Sequence, residues 1–295
     1  MKKLAGFCAG LLAVLSVGGS AVVAQDSPMT GPPKVLIIER EWVKPGKGGA
    51  AHEKSESAFV NAFTAAKWPT HYFAAESLSG KPRVLFFIGY PSFEAWEKDN
   101  HDMQKNATLS AAIGRAVAAD GDLLTDYEQS VYTYNPELSL RTEGASIAHS
   151  RYFEISVWTV KPGHRAEWMQ LVKMYHDGFE KAVPNANWAL FESYYGANNG
   201  GVYLAISRMT SLAEDDASMG DSKKFSDAMG PEGMKKISEL TAACLESTQT
   251  NLLEFNPKMS YPGDDWIKQD SFWKPKASSA VTAVAKKPAT APPTP

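Results

Sequence analysis

An internal repeat constrains this chain more than any other feature. Val43-Lys44-Pro45-Gly46 recurs as Val160-Lys161-Pro162-Gly163. Glu76-Ser77 followed by Gly80 recurs as Glu192-Ser193 followed by Gly196, and Asn135-Pro136 with Ser139 recurs as Asn256-Pro257 with Ser260. Order is kept, and the offsets of 117, 116 and 121 positions drift by no more than a small loop insertion. Self-similarity at such a period describes one structural unit used twice, each the size of a small domain.

Each copy reads strand, helix, strand, strand, helix, strand. Val35 to Val43 and Tyr152 to Val160 are rich in β-branched and aromatic residues and stop at the Lys-Pro-Gly breaker. The period then changes to that of a helix: Phe59, Ala62, Phe63 and Ala66 share one stripe, as do Trp168, Leu171, Val172, Tyr175, Phe179 and Ala182. Pro69 and Pro184 close those helices. Strands are expected at Thr70 to Leu78 with Val84 to Tyr90, and at Asn187 to Tyr195 with Val202 to Met209. Ser79-Gly80-Lys81-Pro82 and Gly196 to Gly201 join them as hairpin turns. A second helical region spans Ser92 to Asp120, and Ser211 to Glu246 with a break near Gly230-Pro231. The last strands fall at Asp126 to Tyr134 and Gln249 to Phe255.

The order βαββαβ is the ferredoxin-like split β-α-β unit. One unit covers one sheet face with helices and leaves the other apolar, so two units can close their open faces on each other. The expected fold class is α+β: two tandem ferredoxin-like βαββαβ units forming an intramolecular dimeric α+β barrel. Over nearly all of Val35 to Ser260 the chain resembles the dimeric α+β barrel superfamily, and within it NIPSNAP-type and antibiotic-biosynthesis-monooxygenase-type domains. Some members of that superfamily use a histidine to ligate haem, and some cofactor-free monooxygenases use an Asn, Trp and His set. Asn187, Trp188 and His71 are the residues here that such a role would fall on, but they form no family motif.

The ends of the chain read differently. Met1-Lys2-Lys3, an apolar run from Leu4 to Val17, and small residues ending at Ala24 form a secretory signal peptide. The expected division is signal peptide 1–24, linker 25–33, first repeat 34–140, linker 141–150, second repeat 151–261, and an extended, largely disordered tail 262–295. Localisation is therefore expected to be periplasmic or secreted. Losing Lys2 and Lys3 with the leader leaves 28 basic against 33 acidic residues, a net charge of −5. That mild acidity without a basic cluster argues against nucleic acid as a partner, and no later apolar run is long enough to span a membrane. Cys8 leaves with the leader, so Cys244 remains alone and no internal disulfide is possible.

Strand alternation sorts the first strands into two faces. Leu36, Ile38 and Trp42, with Phe153, Ile155 and Thr159, are expected to face the helices. Val35, Ile37, Glu39 and Glu41, with Tyr152, Glu154, Ser156 and Trp158, are expected to face the barrel, because carboxylates among large aromatics suit a ligand surface. The expected ligand-binding residues are Tyr72, Tyr152, Glu154, Trp158, Trp188 and Glu192. His71, Glu76 and Glu192 are the candidates for proton transfer, and the second copy, with more aromatic rings, is the expected host.

Other chemistries have no signature. No Gly-rich loop opens a helix, and no Gly-x-Ser-x-Gly elbow, paired Cys or His-Glu-x-x-His spacing is present. No cofactor and no metal is expected, and His52, His101 and His149 stand in polar contexts. Three functions follow: a small hydrophobic or weakly polar molecule bound in the barrel; a cofactor-independent oxygenase or related barrel oxidoreductase; or a non-catalytic interaction module capable of self-association.

Overall fold

The computed structural model describes residues 31–142, 147–196 and 201–274. The expected signal peptide, most of the 25–33 linker, the turn at 197–200 and the chain beyond 274 lie outside the described residues.

Both copies follow the expected order. The first comprises β1 (Val35–Val43), α1 (Ala50–Ala66), β2 (Tyr72–Ser77), β3 (Arg83–Tyr90), α2 (Phe93–Lys105), α3 (Ala107–Asp120) and β4 (Leu124–Leu140). The second comprises β5 (Tyr152–Val160), α4 (Arg165–Ala182), β6 (Trp188–Tyr195), β7 (Val202–Met209), α5 (Ala213–Ser218), α6 (Asp221–Cys244) and β8 (Leu245–Tyr261). The helical region expected over Ser92 to Asp120 is split at Asn106, whose side chain accepts the Leu109 N–H and so starts α3. The expected break at Gly230-Pro231 is a kink inside α6.

The eight strands close into an antiparallel barrel in the order β1-β3-β2-β8-β5-β7-β6-β4. This is the intramolecular barrel that the repeat predicts. Two seams, β2 with β8 and β4 with β6, join the copies. β4 and β8 run to 17 residues each, well past the ends expected from Asp126–Tyr134 and Gln249–Phe255. The first part of each pairs within its own copy, and the second part crosses the seam.

The Asn-Pro-x-x-Ser repeat makes that crossing possible. Proline cannot donate to a strand ladder, so it survives in a strand only at an edge or bulge, and the register shifts at both sites. Asn135 Oδ1 accepts the Leu138 N–H, and the Ser139 hydroxyl donates to the Asn135 carbonyl at 2.6 Å. Ser139 Oγ then accepts the Leu190 N–H of β6 at 2.8 Å. At the other seam Asn256 Oδ1 accepts from Lys258 N–H, the Ser260 hydroxyl donates to the Asn256 carbonyl, and Ser260 Oγ accepts the Ala74 N–H of β2 at 2.9 Å. The Glu-Ser repeat closes the hairpins likewise: Ser77 and Ser193 accept from Arg83 and Val202 N–H, both at 3.0 Å.

The two sheet faces are the reverse of those expected. Leu36, Ile38, Phe153 and Ile155 pack with Ala75, Leu85, Tyr132, Phe191, Leu204 and Leu253 in one buried cluster. A cluster that draws on all eight strands of a closed barrel can only be its lumen. An eight-stranded barrel is just wide enough for side chains to fill it, and here large apolar ones do. The ligand expected between the sheets therefore meets packed side chains. Val35 and Ile37 lie outside, where they pack with Trp96 of α2. Alternation separates two faces but does not say which is the lumen, and both were apolar enough to qualify.

The first part of the tail expected over 262–295 is folded. α7 (Asp264–Gln269) and a 3-10 turn at Ser271–Trp273 fold back onto the barrel end where β2 and β5 begin. Trp273 is fully buried, donates from Nε1 to the Ala148 carbonyl, and meets Phe255 and Trp266 edge-on. Trp266, Phe272 and Trp273 supply the apolar surface that a disordered segment lacks.

Replacing Ser139 or Ser260 by alanine leaves a buried strand N–H unpaired. Each change is expected to cost about 1–3 kcal/mol, and because the seams are separate the double variant should be close to additive. Urea unfolding of the single and double variants measures this.

Candidate functional site

With the faces reversed, the residues expected to line the barrel stand outside it, beneath helices. Glu192 pairs with both guanidinium nitrogens of Arg165, the Nη2 contact at 3.0 Å, and accepts from the Tyr203 hydroxyl at 3.1 Å. Glu76 accepts from Asn256 Nδ2 at 2.9 Å, and Asn256 also donates to Glu53. Trp158 packs on Trp168, and Trp188 donates from Nε1 to the Leu138 carbonyl while meeting Phe179 edge-on. Tyr72 packs on Phe63 of α1, whereas Tyr152 sits between Met209 and Glu254 in the sheet. Burial, with Asp215 nearby, holds Glu154 above the usual carboxylate range. His71 is exposed and packs at a tilt against the Tyr261 ring, and Asn187 donates to the Asn185 carbonyl. These residues are divided between the two copies and do not converge on one space.

A different set converges. Glu41 on the outer face of β1, His52 and Glu56 one turn apart on α1, and Asp120 at the end of α3 are all buried, with exposures of 7%, 0%, 3% and 2%. His52 Nε2 lies 3.0 Å from Glu41 Oε2, 3.5 Å from Asp120 Oδ1 and 3.7 Å from Glu56 Oε1. A single N–H can serve one of these oxygens well. Accordingly Glu56 Oε1 and both Asp120 oxygens make no hydrogen bond of ordinary geometry among the described residues, and neither does His52 Nδ1. The Tyr72 hydroxyl, buried beneath α1, is likewise without a partner among them. Burying one unpaired polar group costs several kcal/mol or a large pKa shift, so a cluster of this kind needs an explanation.

The protonation equilibria show the strain. Burial, followed by the charges of Glu41 and Asp120, pushes the Glu56 carboxyl up to about 9. Burial also raises Glu41, and it raises neighbouring Glu39 with help from Glu41. For His52 burial acts downward, but the close Asp120 and Glu41 carboxylates and the charge of Glu56 outweigh it and bring the ring up to about 10. Burial acts upward on Asp120, yet His52 outweighs it and the carboxyl ends below its ordinary range. At neutral pH His52 and Glu56 are thus both protonated, and Asp120 is ionised.

The spacing is somewhat wider than that of donors around one ion, so the four would draw in on binding one. Metal–ligand bonds of about 2.1 Å put adjacent donors roughly 3.0–3.4 Å apart. The four donor atoms here all lie within 4.8 Å of one another. A second grouping, His176, Asp177 and Glu180, lies on the accessible side of α4, where water can serve the charges.

The repeat makes the first cluster conspicuous. Two residues before the valine of each Val-Lys-Pro-Gly stand Glu41 and Trp158, and at matching turns of the next helix His52 and Glu56 face Trp168 and Val172. In the second copy this layer is an apolar core of Trp168, Val172, Ile237 and Leu240. The asymmetry expected between the copies is present, but the charged layer belongs to the first. Its signal was in the sequence: the α1 stripe through Phe63 and Phe59 continues backward at helical spacing to Glu56 and His52.

No protein-family model matches this sequence, and no curated protein is similar to it. Solved structures are similar in fold. A candidate monooxygenase from Fusobacterium nucleatum subsp. nucleatum is 13% identical over 76% of this chain and 93% of its own, with a TM-score of 0.50. An anthrone oxidase-like protein is 13% identical over 76% and 92%, with a TM-score of 0.49, and a candidate chlorite dismutase 12% identical over 77% and 96%, at 0.44. The chain has the dimeric α+β barrel fold, with both halves in one polypeptide.

In metal-free protein the folded state holds protons that the unfolded chain releases. His52 titrates at about 10 folded against about 6.5 unfolded, so its contribution is whole below about pH 6.5 and lost by about pH 10. Glu56 titrates at about 9 folded against about 4.3 unfolded, which also removes stability as pH rises. The Tm measured in chelator is expected to fall steadily from pH 5.5 to 9, and Glu56→Gln should flatten the curve.

Proposed function

We propose that this is an exported barrel protein whose first half binds one divalent first-row metal ion through Glu41, His52, Glu56 and Asp120. The observation that carries this reading is the convergence of three buried carboxylates on one imidazole nitrogen, with Glu56 Oε1 and both Asp120 oxygens lacking a close partner among the described residues. A doubly charged ion among these groups takes the place of the protons on His52 and Glu56. Three oxygens and one nitrogen suit Zn²⁺ in four-coordination, or Mn²⁺ if carboxylates chelate through both oxygens.

The donors are almost wholly buried. A closed donor set of this kind is the pattern of a structural ion, whereas catalytic ions keep a position open. The ion would clamp β1, α1 and α3 together. The oxygenase reading implied by the barrel resemblance rests, for this chain, on fold alone. The leader at Met1–Ala24 supports placing the protein outside the cytoplasm.

Calorimetric titration of chelator-stripped protein with Zn²⁺ and Mn²⁺ tests the reading. One ion per chain is expected, with about two protons released near pH 7. His52→Ala and Asp120→Asn should each weaken binding by roughly 100-fold or more, beyond the loss known for outer partners. Binding that these changes leave untouched, or no stoichiometric binding at all, would sink the proposal.

A further inference from the structure

We propose that the barrel mouth opposite the Trp273 end binds a small organic carboxylate, held by Arg83 and Asn251 with Arg40 behind them and an apolar wall across from them. This is independent of the metal centre, which lies outside the sheet.

The lumen columns of side chains end in polar groups at this mouth. Arg40 follows Ile38 by two residues on β1, Arg83 precedes Leu85 by two on β3, and Asn251 precedes Leu253 by two on β8. Strand alternation therefore points all three inward. The mouth is the end at which β3 and β7 begin, the opposite end from the start of β5, where Trp273 is buried.

Arg40 is committed to the protein. Its Nη1 donates to Glu128 and Ser130, both at 3.0 Å, and its Nη2 to the Tyr132 hydroxyl at 2.8 Å. Arg83 is not so committed. Its guanidinium makes one hydrogen bond among the described residues, from Nη1 to the Lys81 carbonyl at 3.2 Å, and no ion pair among them. Burial and the nearby Arg40 charge push it below its ordinary range, as expected for a cation short of a counterion. Asn251 is 4% exposed, and its side-chain amide makes no hydrogen bond among the described residues.

These two meet at the β2–β3 turn. A Cβ on Gly80, whose φ is 78°, would lie 3.1 Å from Asn251 Oδ1 and 3.4 Å from Arg83 Nη1. A planar guanidinium fork matches a carboxylate, which accepts from its nitrogens; Asn251, whose Oδ1 faces the turn, adds a donor from Nδ2 once its amide turns over. Glu128 pairs with Arg40, and Arg83 has no ion pair among the described residues, which leaves its charge for an anion.

The other wall sets the rest of the ligand. The positions equivalent to Arg40 and Arg83 in the second copy are Val157 and Val202, and both pack on the lumen cluster. An anion seated on Arg83 would therefore lay an apolar group against valines, so an aromatic or short aliphatic carboxylate fits better than phosphate.

Calorimetric or NMR titration of the full chain from residue 25, in chelator, with benzoate, inorganic phosphate and benzyl alcohol tests this. Saturable binding of benzoate alone is expected, weakened at least about tenfold in Arg83→Met, with Asn251→Ala as the second variant should the first not fold. Benzoate affinity unchanged in both variants, absence of saturable binding, or phosphate or benzyl alcohol binding as tightly as benzoate would each overturn the proposal.

Discussion

The barrel depends on two serine hydroxyls. Ser139 and Ser260 each take a strand N–H from the opposite copy while donating back to the carbonyl of the asparagine that starts the bulge. A strand that meets a proline would ordinarily stop. Here Pro136 and Pro257 sit within bulges whose orphaned groups are satisfied locally, so β4 and β8 continue, change partners and close the cylinder. Without those crossings each copy would keep an exposed apolar sheet face and two unpaired edges, the state that invites aggregation. The lumen cluster exists only because all eight strands are joined.

That scaffold tolerates very different contents in equivalent places. Between sheet and helices the second copy has Trp168, Val172, Ile237 and Leu240, a layer stabilised by the burial of apolar surface. The first copy places Glu41, His52, Glu56 and Asp120 in the same layer. Replacing buried ionic groups by packed apolar ones is often neutral or stabilising, and the second copy shows that this fold accepts the apolar solution. Keeping the charged one is then hard to ascribe to stability of the metal-free fold, which is the physical ground for assigning it a ligand.

Most of the architecture was legible in the sequence because its signals are local or periodic. Val35–Val43, Tyr152–Val160 and Val202–Met209 fall where residue type and the Lys-Pro-Gly stops put them. The ends of β4 and β8 were not legible, since what carries them through Asn-Pro is a hydrogen bond to a strand of the other copy, distant in sequence. The inner and outer faces were confused for a related reason. Period-two alternation names two sets, and Glu41 seemed suited to a lumen when in fact it lies against His52 of α1 and Asp120 of α3. Trp266 and Trp273 show the opposite error: a Lys- and Pro-rich end concealed two aromatic anchors that dock on the barrel.

The charged groups missed by pattern reading share one property. His52 and Glu56 extend an apolar stripe, Arg40 and Arg83 extend apolar lumen columns, and in each case the second copy has Trp, Val or another apolar residue at the matching position. A single unit read alone gives no reason to single them out. Two units related by a near-constant offset provide an internal reference, because the positions share a backbone environment and differ only in what the chain places there. Divergence of this kind is open to a fused pair and closed to a homodimer, in which every substitution appears twice. Had both copies carried the Arg40 and Arg83 equivalents, four guanidiniums would crowd one mouth. Had both carried valine, the mouth would have no charge with which to select an anion.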